Sequence, residues 1–124
     1  MPNKKILVVD DSRTSLFLEQ TILRKGSYQI VTALDGEEGV RKARSESPDL
    51  VLMDVVMPKM DGFQALRTLR KDPATQNIPV IMVTTRGEGP NVETGFADGC
   101  NDYVTKPVDA LELLTKIKSC LHEA

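Results

Sequence analysis

Residues 6–12 read Ile6-Leu7-Val8-Val9-Asp10-Asp11-Ser12: an unbroken apolar run, then two adjacent acids. A run that does not alternate with polar residues marks a strand covered on both faces, as in parallel sheets flanked by helices. Two more runs share that character, Leu50-Val51-Leu52-Met53 and Val80-Ile81-Met82-Val83. Tyr28-Gln29-Ile30-Val31-Thr32 and Tyr103-Val104 complete a set of five. Helix-like stretches separate them. Strand–helix alternation at this pace predicts one α/β domain over residues 1–124, built on a doubly wound five-stranded parallel sheet.

Capping residues place the helices. Ser12 suits the N-cap of a first helix carrying Leu16, Leu18, Ile22 and Leu23, with Gly26 to end it. A second helix is expected from about Glu37 to Glu46, stopping before Pro48. Asp61 can cap a third, with Phe63, Leu66 and Leu69 facing inward. Asp109 caps the last, with Glu112 placed as in a capping box and Leu113, Leu114, Ile117, Cys120 and Leu121 at helical spacing. Between Arg86 and Gly99 the sequence predicts only a short helix behind a flexible loop, because Gly87, Gly89, Pro90 and Gly95 interrupt it. An interior Gly costs about 0.5–1 kcal/mol relative to Ala.

With 124 residues, 40% hydrophobic and 27% charged, the chain suits one soluble core. A net charge of −2 argues against a surface built for a nucleic-acid backbone. No apolar run approaches the ~20 residues that span a bilayer, and Asp10-Asp11 cuts off Ile6–Val9 before it can serve as a signal-peptide core. A cytoplasmic protein is expected. Cys100 and Cys120 form no CxxC pair and read as reduced, packed thiols.

In open parallel sheets the ligand site lies at the carboxyl ends of the strands. Asp10 and Asp11 end the first strand, Asp54 the third and Thr84 the fourth, while Lys106 follows the fifth. If the first and third strands are neighbours, these side chains converge on one crevice. Crowded carboxylates repel: one pair about 4 Å apart costs about 4 kcal/mol at an effective dielectric of about 20. A hard divalent cation with oxygen ligands, Mg²⁺ above all, is the expected neutraliser. Three Asp, Lys106 and Mg²⁺ then sum to zero formal charge, a setting in which phosphoryl transfer is the natural chemistry. Acids after strands are often only helix caps, a reading that would suffice for Asp11 or Asp61 taken alone.

The stretches Ile6–Ser12, Leu52-Met53-Asp54-Val55-Val56-Met57-Pro58-Lys59-Met60-Asp61-Gly62, Val83-Thr84-Thr85 and Asp102-Tyr103-Val104-Thr105-Lys106-Pro107 together resemble the receiver domains of two-component response regulators. The resemblance covers essentially the whole chain, and it implies the CheY-like (flavodoxin-like) strand order 2-1-3-4-5. That order is the one found in the family's chemotaxis member, and it is carried over here by analogy. The resemblance further implies Asp54 as phosphoacceptor from the phosphohistidine of a sensor kinase or phosphotransfer protein. Asp10, Asp11, Asp54 and the backbone carbonyl of Val56 match the Mg²⁺ ligands. Lys106 matches the partner of the phosphoryl oxygens, and Thr84 with Tyr103 the switch pair. Pro107 matches a proline placed after a cis peptide. The downstream protein target is expected on the face of the fourth helix, fifth strand and fifth helix.

In the family that the chain resembles, the side chains two residues after Asp54 and two after Thr84 tune how long the phosphate lasts. Val56 cannot orient an attacking water and Arg86 can lie over the phosphoryl group, so slow self-dephosphorylation is expected. The lone His122 reads as a solvated residue at a helix end rather than a phosphate relay. Met53 and Met82 read as core, and Met57 and Met60 as shaping the loop after Asp54.

A switching module of chemotaxis or motility type, rather than an enzyme acting on other substrates, is the leading reading. It is either a complete single-domain regulator, favoured by Met1 standing directly before the first strand, or a piece of a longer one. A metal-dependent phosphatase would want a second acid where Val56 stands. A flavodoxin-like cofactor binder would want a phosphate loop where Asp10-Asp11 would repel the phosphate.

Overall fold

The computed structural model of the chain describes residues 3–85, 97 and 99–123. The described residues form, in order, β1 (Lys5–Val9), α1 (Arg13–Leu23), β2 (Gln29–Ala33), α2 (Gly36–Glu46), β3 (Leu50–Asp54), α3 (Gly62–Lys71), β4 (Val80–Thr85), β5 (Asp102–Lys106) and α4 (Ala110–Cys120). The strands form one parallel sheet in the order β2-β1-β3-β4-β5, as expected. The helix expected between Arg86 and Gly99 lies outside the described residues, apart from Ala97 and Gly99.

Alternate residues of each strand feed two cores. Leu7, Val9, Val51, Met53 and Met82 join Phe63, Leu66 and Leu69 of α3 on one face. Ile6, Val8, Leu50, Leu52, Ile81 and Val83 join Leu16 and Leu23 of α1 and Leu113 and Ile117 of α4 on the other. Because both faces are buried, every second residue need not be polar, which is why three strands read as continuous apolar runs. Each fully buried Leu, Ile or Met stabilises the fold by about 1.5–3 kcal/mol relative to exposure. Leu18, by contrast, is exposed on α1.

The caps follow sequence closely. Ser12 accepts from the Ser15 N–H at 3.3 Å. Asp61 makes a full capping box, accepting from the Gln64 N–H while Gln64 accepts from its own. Asp109 accepts from the Glu112 N–H at 2.9 Å. Two details differ from expectation. α1 ends at Leu23 with Arg24 as C-cap, and Gly26 sits beyond it in the turn. α2 starts at Gly36 because Asp35 caps it, accepting from the Glu38 N–H at 2.8 Å.

Arg70 ties the sheet's far edge to α3. Its guanidinium donates to Gly99 O at 3.0 Å, Ile78 O at 2.8 Å and Asn101 Oδ1 at 3.1 Å. Asn101 Oδ1, just before β5, also accepts the Val80 N–H at 2.9 Å, so α3 and the start of β4 share one acceptor. Both cysteines are free thiols, Cys100 buried and Cys120 partly so.

Gly62 fixes how closely α3 meets the end of β3. A Cβ there would lie 2.2 Å from Asp54 O and 2.9 Å from Val55 Cα, both backbone atoms that cannot yield cheaply. Gly62→Ala is therefore expected to destabilise the domain by about 2–3 kcal/mol, at the upper end of overpacking costs. Urea unfolding with an unchanged m-value checks this; a loss under about 0.5 kcal/mol contradicts it.

Candidate functional site

The parallel register sets Val9 beside Met53, so the next residues on each chain, Asp10 and Asp54, emerge together at the carboxyl end of the sheet. Asp10 is fully buried and Asp54 is 5% exposed, while Asp11 faces solvent. One carboxylate oxygen from each of the three lies within 4.8 Å of the others. Asp10 Oδ1 accepts the Ser12 N–H at 2.9 Å, which holds the acid in place as α1 begins. Lys106, at the end of β5, reaches across to this pair. Its Nζ lies 3.0 Å from Asp10 Oδ2 and 3.2 Å from Asp54 Oδ1.

One ammonium thus serves two buried carboxylates. Burial, then the charge of Asp10, push the Asp54 carboxyl up to about 6, against the opposing pull of Lys106. For Lys106, burial works to lower the ammonium's pKa. The hydrogen bond to Asp10 and the charge of Asp54 outweigh it, so the net shift is upward. Negative charge remains in excess, with three carboxylates gathered around one ammonium. Three hard oxygen donors, two from buried side chains, fit a hard divalent cation such as Mg²⁺. At the end of β4, Thr84 is 5% exposed and its hydroxyl donates to Val104 O at 3.5 Å, toward β5.

The profile of the response regulator receiver domain matches residues 6–118. The chain belongs to the response regulator receiver family.

Protein PilH of Pseudomonas aeruginosa is 47% identical over 117 residues, which cover 94% of this chain and 97% of that protein. The alkaline phosphatase synthesis regulator PhoP of Bacillus subtilis is 38% identical over 98% of the chain, which spans 50% of PhoP's length. Among solved structures, the chemotaxis protein CheY4 of Vibrio cholerae superposes with a TM-score of 0.89 at 30% identity, covering 97% of this chain and 100% of that one. As a receiver domain of two-component signalling, the chain is a signalling protein rather than a conventional enzyme. Receiver domains interact with histidine kinases or phosphotransfer proteins and with downstream targets. No helix among the described residues is long and apolar enough to cross a membrane.

Within this receiver domain the other residues singled out from sequence fall as follows. The Lys106–Pro107 peptide is cis. Tyr103 sits partly buried on β5, against the core cluster that contains Met82 and Cys100. Val56 lies two residues after Asp54, just past β3, and is exposed. Arg86 lies outside the described residues. His122 is exposed past the end of α4.

Sequence reading missed Glu19. It is 2% exposed on α1, and burial, then the charge of Asp10, push its carboxyl up to about 8. Its Oε2 has no hydrogen-bond partner among the described residues. The signal was present: Leu16, Glu19 and Leu23 fall at i, i+3 and i+7, which places an acid on the inward stripe of α1.

Proposed function

We propose that this receiver domain takes a phosphoryl group on Asp54 from the phosphohistidine of a sensor kinase or phosphotransfer protein. The observation that carries the reading is the convergence of Asp10, Asp11 and Asp54 oxygens within 4.8 Å, with Lys106 Nζ bridging two of them. Asp10, Asp11, Asp54 and the carbonyl of Val56 would hold Mg²⁺, which when bound supplies charge neutralisation to the transferring group.

The chain's own residues do the rest. An Asp54 carboxylate oxygen forms the new bond to phosphorus as the phosphorus–nitrogen bond to the donor imidazole breaks. The acid then carries about −2 rather than −1. Lys106 meets that charge as a donor to the phosphoryl oxygens, a positioned electrostatic contribution. Thr84 releases Val104 O and swings toward the phosphoryl group. Tyr103 turns into the space vacated, altering the face that β5 and α4 present to a downstream protein. The likeness to CheY4 over 97% of the chain supports a regulator of chemotaxis or motility type.

Borohydride reduction of the acetyl-phosphate-treated protein tests the acceptor, because it converts an aspartyl phosphate to homoserine. Peptide mapping is expected to find homoserine at position 54 alone; trapping at another carboxylate overturns the assignment. The lifetime of the phosphorylated form is a second check. Val56→Asn with Arg86→Glu is expected to shorten it about tenfold, which asks about 1.4 kcal/mol of the new groups. An unchanged or longer lifetime in the double variant contradicts that role for the two positions.

A further inference from the structure

β5 lies at the edge of the sheet, and Lys116 of α4 reaches it from the side. The Lys116 ammonium donates to Tyr103 O at 2.6 Å, lies 3.4 Å from Asp102 Oδ1 and stands 4.9 Å from the centre of the Tyr103 ring. Asp102 Oδ1 also accepts the Tyr103 N–H at 2.8 Å. Asp102, Tyr103 and Lys116 therefore close a small ring of contacts in which both backbone polar groups of Tyr103 take part.

The anchor points of the ammonium do not depend on the aromatic ring. Neither the Tyr103 carbonyl nor the Asp102 carboxylate belongs to the Tyr103 side chain, so rotation of the ring need not break either contact. Rotation does change the contact between the cation and the ring face, 4.9 Å to the centroid here and attractive within about 6 Å. We propose that Lys116 is a positioning residue for the switch: a cation fixed to the β5 backbone, holding the Tyr103 ring at the place it occupies before phosphorylation. The proposal rests on the reading of Tyr103 as the aromatic that turns with Thr84. It adds that α4 sets the resting bias, so the output face holds part of its own off state.

The consequence is a coupling that runs both ways. A partner that engages Lys116 or Asp102 would release the ring, and a ring already turned would leave the ammonium available to an acidic group on that partner.

The chain has two tyrosines, so Tyr28→Phe leaves Tyr103 as the single site for fluorotyrosine. Fluorine NMR of the unphosphorylated, Mg²⁺-free protein then reads the ring's positions directly. Lys116→Gln keeps a donor for Tyr103 O and removes the charge; Lys116→Arg keeps the charge. The Gln variant is expected to shift the ring's population about fivefold toward the turned position, a mid-range cation–π effect, and the Arg variant to match the wild type. Lys116→Met, a second neutral variant, is expected to behave as Gln does. A ring signal unchanged in both neutral variants, or moved as far by Arg as by Gln, overturns the proposal. Because no phosphoryl group or metal is present, a failure of Asp54 to accept phosphate would not imitate either outcome.

Discussion

Asp54→Asn is expected to make the metal-free domain more stable, by about 2–3 kcal/mol at pH 7.5. The Asp54 carboxyl stands at about 6 in the fold against 3.8 ordinarily, raised by burial and by Asp10. About two pKa units correspond to about 3 kcal/mol of differential interaction. A raised folded-state pKa means that the native protein binds the proton more tightly than the unfolded chain does. Above pH 6 the wild type therefore carries the whole penalty of an ionised, buried Asp54. As pH falls from about 6 to about 4 the native state takes up the proton first and recovers that stability. The advantage of the Asn variant should shrink over the same window. Urea unfolding in EDTA at pH 7.5, 6 and 4.5 measures it. A variant less stable than wild type at pH 7.5, or an advantage that grows on acidification, contradicts the electrostatic account of the crevice. Saturating Mg²⁺ is expected to stabilise the wild type by mass action and narrow or reverse the difference.

Lys106→Met should act in the opposite direction. The ammonium is 3.0 Å from Asp10 and 3.2 Å from Asp54, both buried, so its loss leaves two carboxylates without their common partner. Breaking a buried pair this way costs about 3–5 kcal/mol, and Met keeps most of the apolar stem that packs beside it. The loss should be largest in EDTA above pH 6 and smaller in acid, where Asp54 becomes neutral. The double variant with Asp54→Asn should lose less than the two single effects imply, since the charges interact directly. A loss under about 1 kcal/mol, or one that does not vary with pH, would mean that Lys106 does not hold the crevice together electrostatically.

How far the site was legible follows from the range of each interaction. The strand runs, the Asp10–Asp11 pair and the caps at Ser12, Asp61 and Asp109 are local patterns, and the structure follows them. Asp35 is as local a cap as the others, and it starts α2 at Gly36, one residue before the expected Glu37. The meeting of Asp10, Asp54 and Lys106 is different in kind. It needs β1 beside β3 and β5 two places further on, an order that no local pattern contains and that only the family resemblance supplied. Gly62 belongs to the same class: nothing in its neighbours announces that Asp54 O passes where a Cβ would sit. The Lys116–Tyr103 contact joins two elements across the sheet edge and becomes visible only in three dimensions.

The central claim is that Asp54 accepts a phosphoryl group with the help of a divalent cation, and intact-protein mass after acetyl phosphate tests it most directly. With Mg²⁺ the wild type is expected to gain one phosphoryl group. With EDTA in place of Mg²⁺, or with Asp54→Ala, it should gain none. Equal uptake with and without Mg²⁺, or uptake that persists in Asp54→Ala, would contradict the account.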